Sequence, residues 1–171
     1  AYGIFACCGI LFNHESPLRG LEFVTRKITS TLARIKFKKT NLLKLGNISA
    51  KRDWGFAGDY VEAMWLMLQQ KEPNDYVIST GESHSVEEFL SLATEFAGLG
   101  DWHDFVKIDQ SAMRPTDIED LVGDSSIAQK QLNWKPKTSF HELVKMMVEY
   151  DIDFEKLHID PLEFNKKSQE N

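Results

Sequence analysis

A nearly continuous apolar run near the start of the chain, from Ile4 to Phe12, sets the first constraint on the fold. Its length and its β-branched and aromatic residues favour a strand over a helix. An apolar run without polar alternation is typical of a strand that is buried on both faces, as in a parallel sheet. We therefore expect a parallel-sheet strand over residues 4–12. The polar residues Asn13–Gly20 predict a loop at its carboxyl end, the edge where open α/β sheets bind ligands.

Helical and strand patterns alternate along the rest of the chain. Apolar spacing predicts a helix over Glu22–Lys38. Its inner face would consist of Val24, Ile28, Leu32 and Ile35. The stretches Ser85–Glu88 and Ser139–Glu142 match the capping box and predict the starts of two more helices. Short strands are predicted at 41–45, 76–79 and 105–108, and a short helix at 124–132. This alternation indicates an α/β fold.

A second helical stripe lies in the stretch 59–68. Apolar residues recur there at i, i+3, i+4 and i+7, which predicts a helix with the stripe against a core. The stripe consists of Val61, Met64, Trp65 and Leu68. Asp59 stands where an N-cap residue is expected, because its carboxylate can accept a hydrogen bond from the first turn.

Arg52 precedes this helix and is followed by two glycines, Gly55 and Gly58. The glycines allow a tight turn into the helix. A guanidinium held in such a place offers a planar charged fork for a carboxylate or a phosphate. The residues alone leave a second interpretation open, in which Arg52 pairs with Asp53 or another acid on the surface.

The charge of the chain is unevenly distributed. The net charge is −6, yet the segment from Arg26 to Arg52 contains nine basic residues and no acidic residue. A positive segment on an acidic protein predicts a local anion site. Nucleic acid is not the predicted partner, since no nucleic-acid-binding motif accompanies the basic residues. A membrane partner is not predicted either, because no apolar run approaches the roughly 20 residues that span a bilayer.

Several kinds of site are not predicted. The five histidines are scattered without metal-ligand spacing. No Walker A, G-x-S-x-G or G-x-G-x-x-G motif occurs. Cys7 and Cys8 are adjacent and unsuited to a disulfide framework, which favours a reducing, cytoplasmic compartment. The remaining chemistry is the recognition of anions, and a set of polar side chains at predicted element ends suits a pyrophosphate. That set is Asn13, His14, Arg19, Lys27, Arg52 and Arg114.

A series of short sequence words resembles the GDP-mannose 4,6-dehydratase family of extended short-chain dehydrogenases. These words run in order from about Phe5 to about Asp153. They are GILFNHESP (9–17), FVTRKI (23–28), LGN (45–47), AKRDWG (50–55), DYVEAMW (59–65) and NWKP (133–136). The resemblance implies the carboxyl-terminal half of such an enzyme, and the absence of an initial Met agrees with a start inside a longer protein.

The resemblance also implies a domain organisation. Residues 1–155 would contain the last strands of a Rossmann-like NAD(P)-binding sheet, around 4–12 and 76–79. These strands would be interleaved with the small α/β substrate-binding domain of an extended short-chain dehydrogenase. Residues 156–171 would form a polar tail.

Site residues follow from the resemblance, position by position. The GDP-mannose site would contain Asn13, Val24, Lys27, Arg52, Arg114 and Asp117. His14 and Arg19 would contact NADP. Two positions depart from the family pattern, since Leu18 replaces the first of two arginines and Asp117 replaces a glutamate. No catalytic residue is expected on this chain, because no tyrosine is followed by Lys at the fourth position, as in the Tyr-x-x-x-Lys motif of the family.

The whole enzyme implied by the resemblance is a cytoplasmic homo-oligomer that uses NADP to convert GDP-mannose into GDP-4-keto-6-deoxymannose. This chain alone would be inactive. Two alternatives stay open. One is a dehydratase or epimerase of another nucleotide sugar, and the other is a non-catalytic truncated module that binds a nucleotide or a protein.

Overall fold

A computed structural model of the chain describes residues 2–109 and 118–158. The elements in chain order are β1 (Gly9–Leu11), β2 (Asn13–Glu15), α1 (Val24–Lys36), β3 (Leu43–Leu45), β4 (Lys51–Arg52), β5 (Trp54–Phe56), α2 (Ala57–Met67), β6 (Tyr76–Ile78), β7 (His84–Ser85), α3 (Val86–Ala97), a 3-10 turn (Trp102–Asp104), β8 (Val106–Ile108), α4 (Ser126–Leu132) and α5 (Phe140–Leu157). Within these ranges, no helix has both the length and the apolar character needed to span a membrane.

The strands pair two by two. Three pairs are parallel: β1 with β6, β2 with β5, and β3 with β8. The fourth pair, β4 with β7, is antiparallel and places Arg52 opposite His84. Parallel strands separated by helices confirm the predicted α/β class. Single residues, Phe12 and Asp53, separate β1 from β2 and β4 from β5. Within each of these two consecutive pairs, the strands have different partners: β1 pairs with β6 but β2 with β5, and β4 pairs with β7 but β5 with β2.

The larger core lies between α1, α3 and α5, with β3 and β5 against it. Ile28 and Leu32 of α1 are fully buried, and Val24 and Ile35 pack at the edge of the same core, as predicted. Both predicted capping boxes are present. At the start of α3, the Ser85 hydroxyl accepts a hydrogen bond from the backbone N–H of residue 88 at 3.0 Å. The equivalent bond at the start of α5 joins residues 139 and 142 at 3.3 Å.

A smaller core lies between α2, α4 and the β1–β6 pair, and here the sequence-based prediction is wrong. The face of α2 that is buried carries Tyr60, Ala63 and Met67. The predicted stripe Val61, Met64, Trp65 and Leu68 is exposed, and Trp65 retains 61% of its accessible surface. The helix is apolar on both sides, so periodicity alone could not identify the side that this part of the chain covers.

The N-terminal end of α2 also differs from the prediction. The helix begins at Ala57, and Asp59 lies in its first turn rather than at the N-cap. The Asp59 carboxylate instead accepts hydrogen bonds from the backbone N–H groups of Lys137 and Thr138, both at 3.0 Å. Asp59 is thereby engaged by a segment far away in sequence, which no local capping rule could indicate.

The predicted strand over 4–12 is shorter and more exposed than expected. The strand itself covers Gly9–Leu11, which pairs with β6, and Ile10 remains 56% exposed. Leu11 contributes to the smaller core. Side chains alternate along a strand, so Ile10 points to the opposite face, which the described part of the chain leaves uncovered. The loop predicted over 13–20 is also corrected, because Asn13–Glu15 forms strand β2.

Two predicted regions reach the limits of the described residues. The predicted tail from 156 overlaps the last turn of α5, which reaches Leu157. Residues 159–171 of that tail lie outside the described part, as do the predicted site residues Arg114 and Asp117.

A buried ion pair joins α1 to α5. The Arg26 guanidinium donates to the Asp151 carboxylate at 2.8 Å, and the Thr29 hydroxyl donates to the same carboxylate at 2.6 Å. Burial raises the pKa of Asp151, and its hydrogen bonds to Thr29 and Arg26 only partly oppose that rise. Such a pair contributes little net stability over apolar residues, yet breaking it leaves a buried charge without its partner.

We therefore predict that Asp151→Ala lowers the free energy of unfolding by about 3–5 kcal/mol, the range for breaking a buried ion pair. Asp153→Ala on the same helix is the matched control, because its pairing with Lys156 is exposed. That control should change stability by no more than about 0.5 kcal/mol. Chemical denaturation followed by circular dichroism measures both. Equal losses for the two variants would contradict the importance of the buried pair.

Candidate substrate-binding cleft

A cleft of about 350 Å³, open to solvent, lies between α1 and the strands β2, β4 and β5. That volume lies toward the lower end of the roughly 300–1,000 Å³ that is typical of small-molecule pockets. Four of the sequence-predicted substrate residues line it together: Asn13, Val24, Lys27 and Arg52. The structure brings them together from three separate elements. Two further predicted residues, Arg114 and Asp117, lie outside the described part of the chain.

Strand alternation explains which side chains enter the cleft. Asn13 and Glu15 are two residues apart on β2 and share one face, whereas His14 points to the other. His14 accordingly lies beside Tyr60 of α2, with 5.3 Å between the ring centroids. Arg52 and Trp54 flank Asp53 in the same way, and both line the cleft.

Asp53 fixes the short stretch of backbone from which the side chains of Arg52 and Trp54 project. Its side chain is wholly buried. One carboxylate oxygen accepts hydrogen bonds from the Thr80 backbone N–H at 2.9 Å and from the Thr80 hydroxyl at 2.6 Å. The other oxygen accepts from the backbone N–H groups of Gly81 at 2.9 Å and Gly123 at 3.2 Å. Four donors from two distant segments therefore hold the wall of the cleft.

Arg52 is held at the mouth of the cleft by its surroundings. Its guanidinium donates to the carbonyl oxygens of Lys51 and Ile118, both at 2.6 Å. The backbone on each side is tied to the segment 119–121, because the N–H groups of Lys51 and Asp53 donate to carbonyl oxygens there. These contacts restrict the side chain, and a restricted guanidinium loses less conformational entropy when it binds an anion.

Glu15 is a cleft residue that the sequence reasoning missed. It is almost fully buried, and its carboxylate accepts a hydrogen bond from the Thr25 hydroxyl at 2.6 Å. Arg19 Nε lies 3.4 Å from the same oxygen. Burial raises the pKa of Glu15, against the opposing effects of Thr25 and Arg19. One sequence feature could have indicated that Glu15 faces the cleft: it lies two residues after Asn13, on the same face of a strand.

The two residues predicted to contact the cofactor lie beside the cleft. His14 and Arg19 line an adjoining pocket to which Asn13 also contributes. The Arg19 guanidinium lies 3.5 Å from the centroid of the Phe23 ring. Leu18, where the family pattern has an arginine, is exposed. The adjoining pocket thus presents one guanidinium and one imidazole within a short distance of the cleft.

Tyr60 is poorly suited to proton transfer. Burial is the main reason that its pKa is raised, and the nearby carboxylates of Asp53, Asp59 and Glu15 raise it further. A tyrosine that takes up and releases a proton needs a phenolate that is accessible near neutral pH. The described ranges contain no cluster of three or more metal-ligating side chains.

Comparisons with known proteins agree with this architecture. Residues 1–147 match the family model described as GDP-mannose 4,6 dehydratase. The chain is 60% identical over 156 residues to GDP-mannose 4,6 dehydratase 1 of Arabidopsis thaliana, covering 91% of this chain and 43% of that protein. It is 56% identical over 172 residues to GDP-mannose 4,6 dehydratase 2 of the same plant, covering 99% of this chain and 46% of that protein.

Among solved structures, the RMD protein of Pseudomonas aeruginosa in complex with NADPH has a similar fold. The TM-score is 0.81 at 21% identity, over 89% of this chain and 50% of that one. The likeness agrees with the Rossmann-like α/β fold expected from the sequence. The chain spans about half the length of the curated relatives it matches.

The raised pKa of Glu15 gives a pH-dependent prediction. Below its unfolded pKa, Glu15 is protonated in both states and burial costs little. Above its raised folded pKa, the buried carboxylate is charged and destabilises the native protein. We therefore expect the stability of Glu15→Gln relative to wild type to improve as the pH rises through this range.

Denaturant titrations between pH 4 and 8 measure that difference. Glu22→Gln is the matched control, because Glu22 is an exposed acid on the rim of the same cleft. The stability of Glu22→Gln relative to wild type should show no comparable rise with pH. A pH-independent difference for Glu15→Gln would show that burial of its charge is not important.

Proposed function

The chain belongs to the GDP-mannose 4,6-dehydratase family, and on this premise we propose that it forms the substrate-binding part of an enzyme that converts GDP-mannose into GDP-4-keto-6-deoxymannose. The observation that carries the proposal is the cleft between α1 and β2, β4 and β5. There Lys27 and Arg52 bring two cationic groups to the same cavity as Asn13.

The chemistry of these groups suits a nucleoside diphosphate sugar. Arg52 offers a planar fork for two phosphate oxygens, and Lys27 offers a compact point charge. Asn13 can donate to and accept from sugar or phosphate oxygens. Trp54 is mostly buried and contributes an apolar edge to the lining of the same cavity. We propose that Arg114 and Asp117 complete the substrate site.

We propose NADP as the cofactor of the whole enzyme. When bound, its nicotinamide supplies hydride transfer. His14 and Arg19 of this chain would contact it from the pocket that adjoins the cleft. A guanidinium and an imidazole fit an anionic dinucleotide, and the structural neighbour from Pseudomonas aeruginosa is described with NADPH.

The proposal separates binding from catalysis. The described part of the chain offers anion recognition, whereas Tyr60, which lies beside His14, has a raised pKa and a buried hydroxyl. We therefore propose that this chain alone catalyses no turnover. The whole enzyme would be cytoplasmic, which agrees with the two free thiols of Cys7 and Cys8. Its assembly as a homo-oligomer stays a prediction from the resemblance.

Ligand selectivity tests the proposed substrate. We expect GDP-mannose and GDP to bind this chain in calorimetric titrations, and UDP-glucose to bind at least tenfold more weakly. An unrelated DNA duplex should not bind at near-physiological salt, where weak phosphate-based binding is suppressed. Preference for UDP-glucose would favour another nucleotide-sugar enzyme. Duplex binding without nucleotide binding would overturn the proposal.

Arg52→Lys tests the assigned role of the guanidinium. Lysine keeps the charge but cannot make two parallel hydrogen bonds to phosphate oxygens. We expect the dissociation constant for GDP-mannose to rise about 10- to 100-fold, which corresponds to roughly 1–3 kcal/mol for charge-assisted hydrogen bonds. Arg34→Lys, at an exposed position on α1, is the matched control and should leave the constant unchanged. Equal affinities for both variants would remove Arg52 from the binding site.

A further inference from the structure

His84 is a half-buried imidazole beside the cleft, and the proposed function gives it no role. Its ring lies nearly parallel to that of Phe140, at an angle of 7° and with 3.7 Å between the ring centroids. The Phe140 ring in turn stacks on Trp54, at 13° and 6.3 Å. Because Trp54 lines the cleft, this stack of three rings holds His84 in one orientation and connects it to the cleft wall.

The two ring nitrogens of His84 lie between two carboxylates. Nδ1 is 3.4 Å from a Glu88 oxygen, and the backbone N–H of Ser85 donates to that same oxygen at 2.8 Å. Nε2 is 3.8 Å from Glu82, which is beyond hydrogen-bond distance. Nε2 is buried and has no hydrogen-bond partner among the residues that the structure describes. A protonated ring can donate from both nitrogens, so it can engage both carboxylates.

Carboxylates outnumber cations around His84. The charged groups on the elements packed against it are Glu82, Arg52, Lys137, Glu142 and three acids of α3, Glu87, Glu88 and Glu95. Of the two cations, Lys137 is paired with Glu62 of α2. Arg52 is therefore the cation whose interaction with a charge on His84 matters for the cleft.

His84 is the direct cross-strand neighbour of Arg52. The two residues stand opposite each other in the antiparallel pair of β4 and β7. Side chains at such positions share one face of the ladder, with Cβ atoms roughly 4.5–5.5 Å apart. A charge on the imidazole therefore acts over a short distance on the guanidinium and on an anion bound to it.

The loop between β6 and β7 provides a second connection. Glu82 belongs to this loop, and so do the two residues whose backbone N–H groups donate to the buried carboxylate of Asp53. Asp53 is the chain neighbour of Arg52. A Glu82 carboxylate that closes on a protonated His84 therefore ties down the same loop that fixes the backbone beside the guanidinium.

We propose that His84 is a positioning residue that makes anion binding at Arg52 depend on pH. When the ring is protonated, a positive charge stands beside the guanidinium, and Glu82 and Glu88 hold the ring in place. Imidazole groups change charge between about pH 5 and 8. The affinity of the cleft for a diphosphate therefore falls as the pH rises through this range. The inference rests on the proposed function, because it takes the ligand of the cleft to be such a diphosphate.

Calorimetric titrations with GDP-mannose measure this dependence. Both phosphates of this ligand are esterified, so its charge is constant between pH 5.5 and 8 and any change in affinity comes from the protein. We expect a dissociation constant about three- to tenfold higher at pH 8 than at pH 5.5, as for two charges a short distance apart near a surface. His84→Gln should lose most of that difference.

Two other groups near the ligand also titrate. Glu15 is present in both proteins, so its contribution cancels when His84→Gln is compared with wild type. His14→Gln removes the imidazole of the adjoining pocket and is the matched control, which should keep the wild-type difference. A pH difference that His84→Gln retains in full would overturn the proposal, as would its loss in His14→Gln alone.

Glu82→Gln is a second variant that leaves the imidazole in place. The Glu82 side chain is 75% exposed, so the fold does not depend on it. The substitution removes one carboxylate partner of the protonated ring. The midpoint of the pH dependence should therefore move to lower pH, and an unchanged midpoint would contradict the proposal.

Nuclear magnetic resonance gives a readout that needs no nucleotide. In the ligand-free chain, the Nε resonance of Arg52 should shift with pH at the same midpoint as the ring signals of His84. That shift should be absent from His84→Gln. An Arg52 resonance that does not follow the titration of His84 would overturn the coupling. If Arg52 follows His84 but GDP-mannose binds at no pH, the coupling is supported and the proposed substrate is wrong.

Discussion

The buried carboxylate of Asp53 is the constraint on which the cleft depends. Asp53 stands between β4 and β5, and its two oxygens accept hydrogen bonds from Thr80, Gly81 and Gly123. A buried carboxylate without such donors would be strongly unfavourable, so the loop after β6 and the segment near 123 must both be in place. Once they are, the residues on either side of Asp53 face the cleft in a fixed direction.

The opposite wall of the cleft is anchored in a different way. Helix α1 carries Val24 and Lys27, and its first turns are tied to α5 by the buried pair of Arg26 and Asp151. Lys27 is the neighbour of Arg26 on this helix, so the ion pair that joins two helices also sets the position of a cleft cation. Both cationic residues of the cleft therefore stand next to a buried charge that belongs to the fold. Such pre-organisation reduces the ordering that a ligand must induce when it binds.

Local signals in the sequence were sufficient where the structure is determined locally. The stripe of α1 and the capping boxes at Ser85 and Ser139 depend on neighbours within one or two turns, and all three are confirmed. Asn13, Val24, Lys27 and Arg52 were expected together from the family resemblance, and they line one cleft. The wrong N-cap assignment of Asp59 and the overlooked Glu15 both involve partners in another element, namely the segment at 137–138 and the hydroxyl of Thr25. Neither partner could be identified from spacing.

The predictions for α2 and β1 failed for another reason. The apolar character of both segments was recognised correctly, but not which of their sides is covered. A helix that is apolar on most sides and a strand without polar alternation both require cover on more than one side. The described residues cover one side of each: α4 and β6 pack against Tyr60, Ala63 and Leu11. Which side of each element the described residues cover is set by tertiary contacts, and neither helical periodicity nor a lack of polar alternation contains that information.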